Sequence, residues 1–413
     1  MFRSVAVLAR HKKGAKKDAP TEEATFLKLL HADVSHFGRT DATFAETGDF
    51  AVFVWSTLYN QAASPEFRKE VARARLAANA PKLRSFEASH PELFKRAFNL
   101  DTHKIAPEIV PCKVDAELNQ IFNYYLFQQS IESRVNRGRY GRFIVYDSSV
   151  ACRPVMGIIG LSSPIYFNGA RDAALRWAAT GHREGEVWTK NPAAQKRRDR
   201  GLLSLSHITV ATLVPPYSES LKLGRLLTSL CFSDSVIGFM EASYERPITA
   251  LTTTGGWGGS AGPYQRIRLR QTATGVGHLF APLEAREPSL NQTLQYFSDP
   301  LFRAALDVHR VSSNDPSARF KDFTGDESIK RELFLWTLHH LNLPRAATYV
   351  NRISHYLGAV SEDGIRFLRN GARGKAPDVR TIPIADALNY WRSENKRVRL
   401  SKVSQKPLSQ DIV

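Results

Sequence analysis

The sequence predicts an α/β fold, with α+β as the alternative: a mixed-sheet core flanked by helical N- and C-terminal regions. Three observations lead there. Between Ile208 and Arg270, apolar runs rich in β-formers alternate with stretches of helical periodicity. A glycine-rich stretch (Gly255, Gly256, Gly258, Gly259 and Gly262) follows one of these runs, at a strand end where α/β folds keep their sites. Apolar residues recur at helical spacing from Thr21 to about Val110 and again from Ser289 onward.

Within the central stretch, Ile208 to Val214 reads as a strand stopped by Pro215-Pro216. Leu223, Leu226, Leu227 and Leu230 then share a helix face. Ser233 is placed to cap a second helix bearing Val236, Phe239, Met240 and Tyr244. Ile248 to Thr254 reads as a second strand and Tyr264 to Leu269 as a third, with the glycine loop between them.

Composition sets the frame. The chain has 413 residues, 43% hydrophobic and 23% charged, enough for two or three domains or one core with helical additions. Its net charge is +17, which favours an anionic partner, nucleic acid before a membrane surface; a solvated basic surface is the alternative. Three scattered cysteines, Cys112, Cys152 and Cys231, read as reduced core residues. No apolar run reaches the length of a membrane span, and MFRSVAVLARHKK is too short in its apolar part for a signal peptide. A cytoplasmic protein without membrane contact is expected.

Taken in order, residues 1–20 are a basic tail. Residues 21–110 form an N-terminal helical region, with Phe26, Leu29 and Leu30 on one helix face and further helices expected over Pro65–Ala78 and Ser85–Ala97. The α/β core runs over 111–288. In it, Val114–Gln129 is an amphipathic helix, and Phe143–Tyr146 and Val155–Leu161 should pair as a hairpin. A helix with an aspartate in its first turn is expected within Asn168–Thr180, and Lys190–Arg200 as a solvated basic segment. Val276–Phe280 is a further strand. Residues 289–390 form a C-terminal helical region, with helices over Leu290–Ala305, Ile329–Asn342, Pro344–Leu357 and Ser361–Gly371. Residues 391–413 form a second basic tail.

Several spaced blocks carry a resemblance. LVPPYSESLKLGRLLTSL is followed by ALTTTGGWGGSAGPYQRIRL; upstream stand GRYGRFIVYD and RPVMGIIGLSSPIYFNGARDAALRW, and downstream GVGHLFAP. Together, over about Leu126 to Pro282, they resemble the DruA family of the Druantia anti-phage system. The resemblance implies a component of a bacterial antiviral defence system with an α/β core. Its genomic setting implies a helicase partner. VPPYSESLKLGRLL also looks like the cofactor turn of the GNAT-type acetyltransferase fold, which underlies the Mom DNA-modification protein of a bacteriophage. Two departures count against acyl-coenzyme A: the turn has one glycine, Gly224, and Glu219 would repel a pyrophosphate. No cofactor is expected.

The candidate anion- or nucleic-acid-binding residues cluster in these blocks. Tyr217 and Gly224 lie between a strand end and a helix start, where free N–H groups attract anions. Thr253, Thr254, Gly258, Gly259, Ser260 and Tyr264 surround the glycine loop, whose backbone can approach a phosphate closely. Arg266, Arg268 and Arg270 follow at strand spacing as a basic stripe. The loop is neither a Walker A motif nor a dinucleotide fingerprint. Arg171 and Asp172, with Trp177, match a block of the family, and Asp172 could serve as a general base; an ordinary ion pair is the alternative. His278 is the third catalytic candidate. There is no HExxH or CxxC, so no metal site is expected.

Three functions remain open at this level. The first is a defence protein that contacts phage DNA or RNA. The second is an acetyltransferase-like enzyme that modifies nucleic acid or protein. The third is a scaffold that recruits a helicase.

Overall fold

The computed structural model describes residues 21–38, 72–73, 75–129, 138–166, 168–177, 181–184, 187–218, 221–255, 263–272, 275–283, 297–313, 320, 327–341, 354–359, 362–378 and 381–412. Phe50–Asn60 and the glycine loop from Gly256 to Gly262 lie outside them. The chain forms two compact units, residues 1–71 with 287–353, and residues 72–286 with 354–413.

The described part of the first unit is helical. Helices Glu22–Gly38, Asp299–Ser312 and Glu327–His340 pack through Phe26, Leu30, Leu301, Phe302, Phe334 and Leu338. Phe26 and Phe302 both approach the Phe334 ring, with centroids 6.1 and 6.2 Å away. The amphipathic pattern of each helix explains why they associate, since each presents one apolar stripe that water disfavours.

The second unit is a sheet with helices on both faces. In chain order its elements are α1 (Ala80–Ser89), α2 (Glu92–Lys95), β1 (Phe98–Asp101), β2 (Pro107–Pro111), α3 (Ala116–Leu126), β3 (Tyr140–Asp147), β4 (Val155–Ser162) and α4 (Gly169–Ala174). There follow β5 (Gly181–Glu184), β6 (Val187–Lys190), α5 (Pro192–Leu203), β7 (Leu205–Leu213), α6 (Gly224–Leu230), α7 (Asp234–Tyr244) and β8 (Ala250–Gly255). Then come β9 (Arg268–Thr272), β10 (Gly275–His278), β11 (Phe280–Leu283), β12 (Ser354–Ala359), α8 (Glu362–Arg369), α9 (Ile384–Glu394) and β13 (Arg399–Val403).

Seven strands make the main sheet in the order β11-β12-β8-β7-β4-β3-β2. β7 and β8 are the one parallel pair among the described strands; they run together from Leu205/Ala250 to Ile208/Thr253. Beyond that point β7 continues beside β4 alone, so the two parallel strands part at their C-terminal ends. Phe143, Ile159, Leu161, Ile208 and Leu251 face α6, α7 and α9. On the other face, Ile144, Ile158 and Val210 meet α3, while Leu205, Ala250 and Leu357 meet α4, α5 and α8. Every residue of β4 is buried, which explains its unbroken apolar run. Gly157 lets α6 come close: a Cβ there would lie 2.8 Å from the Thr212 carbonyl and 3.0 Å from Leu227.

The predicted hairpin of β3 and β4 is present, as are β7, α6, α7 and β8. Four expectations differ. The N-terminal helical reading overlooks β1 and β2; β2 is an edge strand, which tolerates Pro107 and Pro111 because one side of its ladder is unpaired. Of the helix expected over Pro344–Leu357, residues 344–353 lie outside the described residues, and its last four belong to strand β12, Ser354–Ala359, which inserts between β11 and β8. The third strand of the central stretch is instead a 3-10 turn, Pro263–Arg266, followed by β9, which pairs with β10 outside the main sheet. Arg266 and Arg268 therefore do not share a strand. The C-terminal residues read as a basic tail contain β13, which pairs with β1, and a buried Leu408. In each case the decisive partner is distant in sequence, so local periodicity carries no sign of it.

Candidate site at the parting of two parallel strands

The site begins with a local signal. Asn168 caps α4: its Oδ1 accepts from the Arg171 backbone N–H at 3.0 Å. Arg171 and Asp172 then fall on the buried side of the helix, 1% and 7% exposed. Nε and Nη2 of Arg171 donate to Asp172 Oδ1 at 2.8 and 2.6 Å. Nη1 donates to the Ile165 carbonyl at 2.5 Å and Nη2 to the Tyr166 carbonyl at 2.9 Å. The guanidinium thus pins the loop between β4 and α4 from beneath. That loop presents Ile165 and Tyr166 at 45% and 42% exposure.

The sheet brings a second set of polar groups to the same place. His207 on β7 lies opposite Thr252 on β8, and Thr254 lies opposite His355 on β12. Residues two apart on a strand share a face, so His207, Thr252, Thr254 and His355 all lie on the α4 side. His207 Nδ1 is 3.0 Å from Thr252 Oγ1, and Asn168 Nδ2 is 3.2 Å from His355 Nδ1. Burial lowers the pKa of His207 to about 4, and the charges of His355 and Arg171 add to the effect; the Thr252 backbone opposes it. Burial, then the Arg171 charge, lowers His355 as well. Both imidazoles are therefore neutral near neutral pH.

The sequence candidates separate. Arg171, Asp172 and Thr254 gather around His355. Thr253 points to the opposite face, its Oγ1 bonded to the Ile208 carbonyl at 3.3 Å. Tyr264 also lies there, packed on Phe280 and Tyr356 with centroids 5.2 and 4.9 Å away. Tyr217 is fully buried; it stacks on Phe98 and donates to Asp147 Oδ2 at 3.0 Å. Asp147 Oδ1 is satisfied by Ala106 N, Ser149 N and Ser149 Oγ. Gly224 opens α6, a helix of only seven residues. Arg266 and Arg268 are exposed, and their backbones flank the Tyr390 hydroxyl. Gly258, Gly259 and Ser260 lie outside the described residues.

His278 does not join Arg171 and Asp172: it is exposed on the β9–β10 ribbon, at a register shift. The histidines that do join them, His207 and His355, were not singled out from the sequence. The available signal was a histidine inside an apolar strand run, Leu205 to Leu213. His355 gave less, because its stretch reads as helix. Lys190–Arg200 was read as solvated, yet Arg198 is 2% exposed, with its guanidinium 4.3 Å from the Tyr166 ring centroid.

Among the described residues no group of three or more His, Cys, Asp or Glu is placed to hold a metal, and no helix is long and apolar enough to cross a membrane. Cys112 and Cys231 are free and buried, and burial pushes the Cys112 thiol up to about 12. No curated protein and no solved structure matches the chain. The family comparison covers α1 to β8 and stops short of the GVGHLFAP block and of His355. Residues 64–255 match the family model described as Druantia protein DruA, so over that stretch the chain is similar to the family that the spaced blocks resemble.

Proposed function

We propose that this chain is the nucleic-acid-contacting component of a Druantia-type defence system, acting on phage DNA or RNA. The observation that carries the reading is the surface made by α5 and the loop before α4. On α5, Lys196 is exposed, Arg197 and Arg200 are half-buried, and Arg198 is buried beneath the exposed Tyr166 ring, whose hydroxyl donates to Asp199 Oδ1 at 2.7 Å. An exposed aromatic ring backed by arginine is a surface on which bases stack, and adjacent cations follow the phosphates. The chain's +17 charge supplies the long-range attraction.

The test is a binding titration of the full chain with single- and double-stranded DNA and RNA across salt. Log K should fall with log salt, by about 0.9 for each phosphate neutralised on B-DNA. Absence of binding to every strand at low salt rejects the proposal.

A second reading is an acetyltransferase-like enzyme that modifies nucleic acid or protein. One observation favours it: the parallel pair β7 and β8 separates after Ile208 and Thr253, with the polar group around His207 at the point of parting. Open α/β sheets place ligands at such crevices.

A further inference from the structure

We infer that the outward face of the β1–β13 ribbon is a second phosphate-contacting surface, one that holds a nucleic-acid backbone without reading its sequence. The inference rests on the nucleic-acid reading above and adds a contact on the side of the sheet opposite α5.

The sequence supplies the charge. Between Asn395 and Pro407 stand Lys396, Arg397, Arg399, Lys402 and Lys406, with no acid among them. Pairing with β1 sorts this segment by face. Phe98 and Leu100 of β1, with Leu400 and Val403 of β13, pack into the cluster that holds Tyr217 and Trp391, whereas Leu202 of α5 belongs to the cluster on the other face. Lys396, Arg397, Arg399, Ser401 and Lys402 stay exposed. The acid beside them is Asp101, which accepts from Arg397 and lies 3.5 Å from Arg399 Nε. One carboxylate between two guanidiniums leaves a positive charge before either lysine is added.

A bulge concentrates that charge. Phe98 pairs with Val403 and Leu100 with Leu400, so Ser401 and Lys402 together stand opposite Asn99. Strict alternation would send one of the two inward; the extra residue leaves both on the solvent side. Lys402 takes a left-handed conformation, φ 53°, which glycine adopts without strain. Its backbone N–H donates to Asn99 Oδ1 at 3.1 Å, which holds the bulge. An exposed lysine kept at a strained position gains nothing from packing. What it does supply is an ammonium next to a hydroxyl, close along the strand to the two guanidiniums, and these are the donors that bind phosphate oxygens. Asn99 Oδ1 is committed to the bulge and both arginines lean on Asp101. The face therefore suits phosphates, whose contacts fix position and carry no sequence information. A two-stranded ribbon is also narrow enough to follow a duplex groove.

The experiment titrates the full chain, Lys402→Gly and Asp101→Asn with a random-sequence DNA duplex across salt, with thermal melts to confirm folding. Glycine accepts the backbone conformation of residue 402, so Lys402→Gly removes the charge and keeps the bulge. It should weaken binding about eightfold at about 0.1 M salt and lower the salt slope by about 0.9, the share of one phosphate. Asp101→Asn should act in the opposite direction and tighten binding, because it releases Arg397 and Arg399. A merely structural ribbon would instead weaken binding in both variants. The losses in Lys402→Gly and Lys196→Ala should add, since the two surfaces lie on opposite sides of the sheet. Unchanged affinity and slope in folded Lys402→Gly, or weaker binding by Asp101→Asn, overturns the ribbon and leaves the α5 surface standing. Tighter binding to polyglutamate than to DNA at equal salt overturns it in favour of an acidic protein. Failure of the wild type to bind any nucleic acid at low salt overturns both readings.

Discussion

Arg171 and Asp172, neighbours in sequence, close an ion pair on each other: two guanidinium nitrogens lie 2.8 and 2.6 Å from one carboxylate oxygen. The arginine's remaining donor capacity goes to the carbonyls of Ile165 and Tyr166. The pair therefore works beneath the site and does not reach into it. Its role is to hold the loop that carries Tyr166 and the cap residue Asn168.

Arg171→Ala should destabilise the second unit by about 3–5 kcal/mol, because it leaves the buried Asp172 Oδ1 and two carbonyls without donors. Chemical denaturation measures this directly. A change near zero would show that the loop finds other donors.

His207 makes stability depend on pH. Its folded pKa is about 4, against 6.5 for the free side chain. Between these values the unfolded chain binds a proton that the folded chain refuses. This contribution is fully present above about pH 6.5 and is lost as pH falls toward about 4; at about pH 5 the loss is about 2 kcal/mol. The denaturation midpoint should fall from about pH 7 to about pH 5, and His207→Phe should flatten that slope by the same amount. An unchanged slope would mean that the imidazole titrates normally in the fold.

Asp101 ties the last strand to the first. It accepts from Arg397 and lies 3.5 Å from Arg399 Nε, and the Arg397 guanidinium holds its carboxyl well below the usual range. Arg397 is exposed, so Asp101→Asn should change global stability little. Amide exchange over Arg399–Val403 should nevertheless quicken, since this pair fastens a short two-stranded ribbon at its end. Unchanged exchange there would assign the pairing to the backbone ladder alone.

Two glycines should behave oppositely. A Cβ at Gly201 would sit 2.0 Å from Trp177 Cζ2, whereas one at Gly224 meets nothing within 4 Å. Gly201→Ala should destabilise by about 1–3 kcal/mol through overpacking. Gly224→Ala should be neutral or stabilising by about 0.4–1 kcal/mol, through reduced freedom of the unfolded chain. Paired thermal melts separate the two, and equal effects would contradict the packing described.

Lys196 is exposed on α5. If that helix follows phosphates, Lys196→Ala should weaken binding to all sequences alike and reduce the salt slope by about 1. An unchanged slope would move the contact surface elsewhere.

The sequence alone determined what depends on neighbours along the chain. The run from Ile208 to Gly255 was legible as strand, helix, helix, strand because periodicities of 2 and 3.6 residues are local. The β3–β4 hairpin followed from its short connection, and α4 from a helix start near Asn168 with Asp172 in its first turn. Tertiary structure decided what depends on pairing at a distance. Ser354–Ala359 becomes a strand because β8 and β11 offer it ladders on both sides, and Arg399–Val403 because β1 does. The site followed the same division. Arg171 and Asp172 were visible as a motif, but His207 and His355 meet them only through the register of β7, β8 and β12. No spacing within the chain encodes that register, because it is set by which faces of separate strands can be buried together.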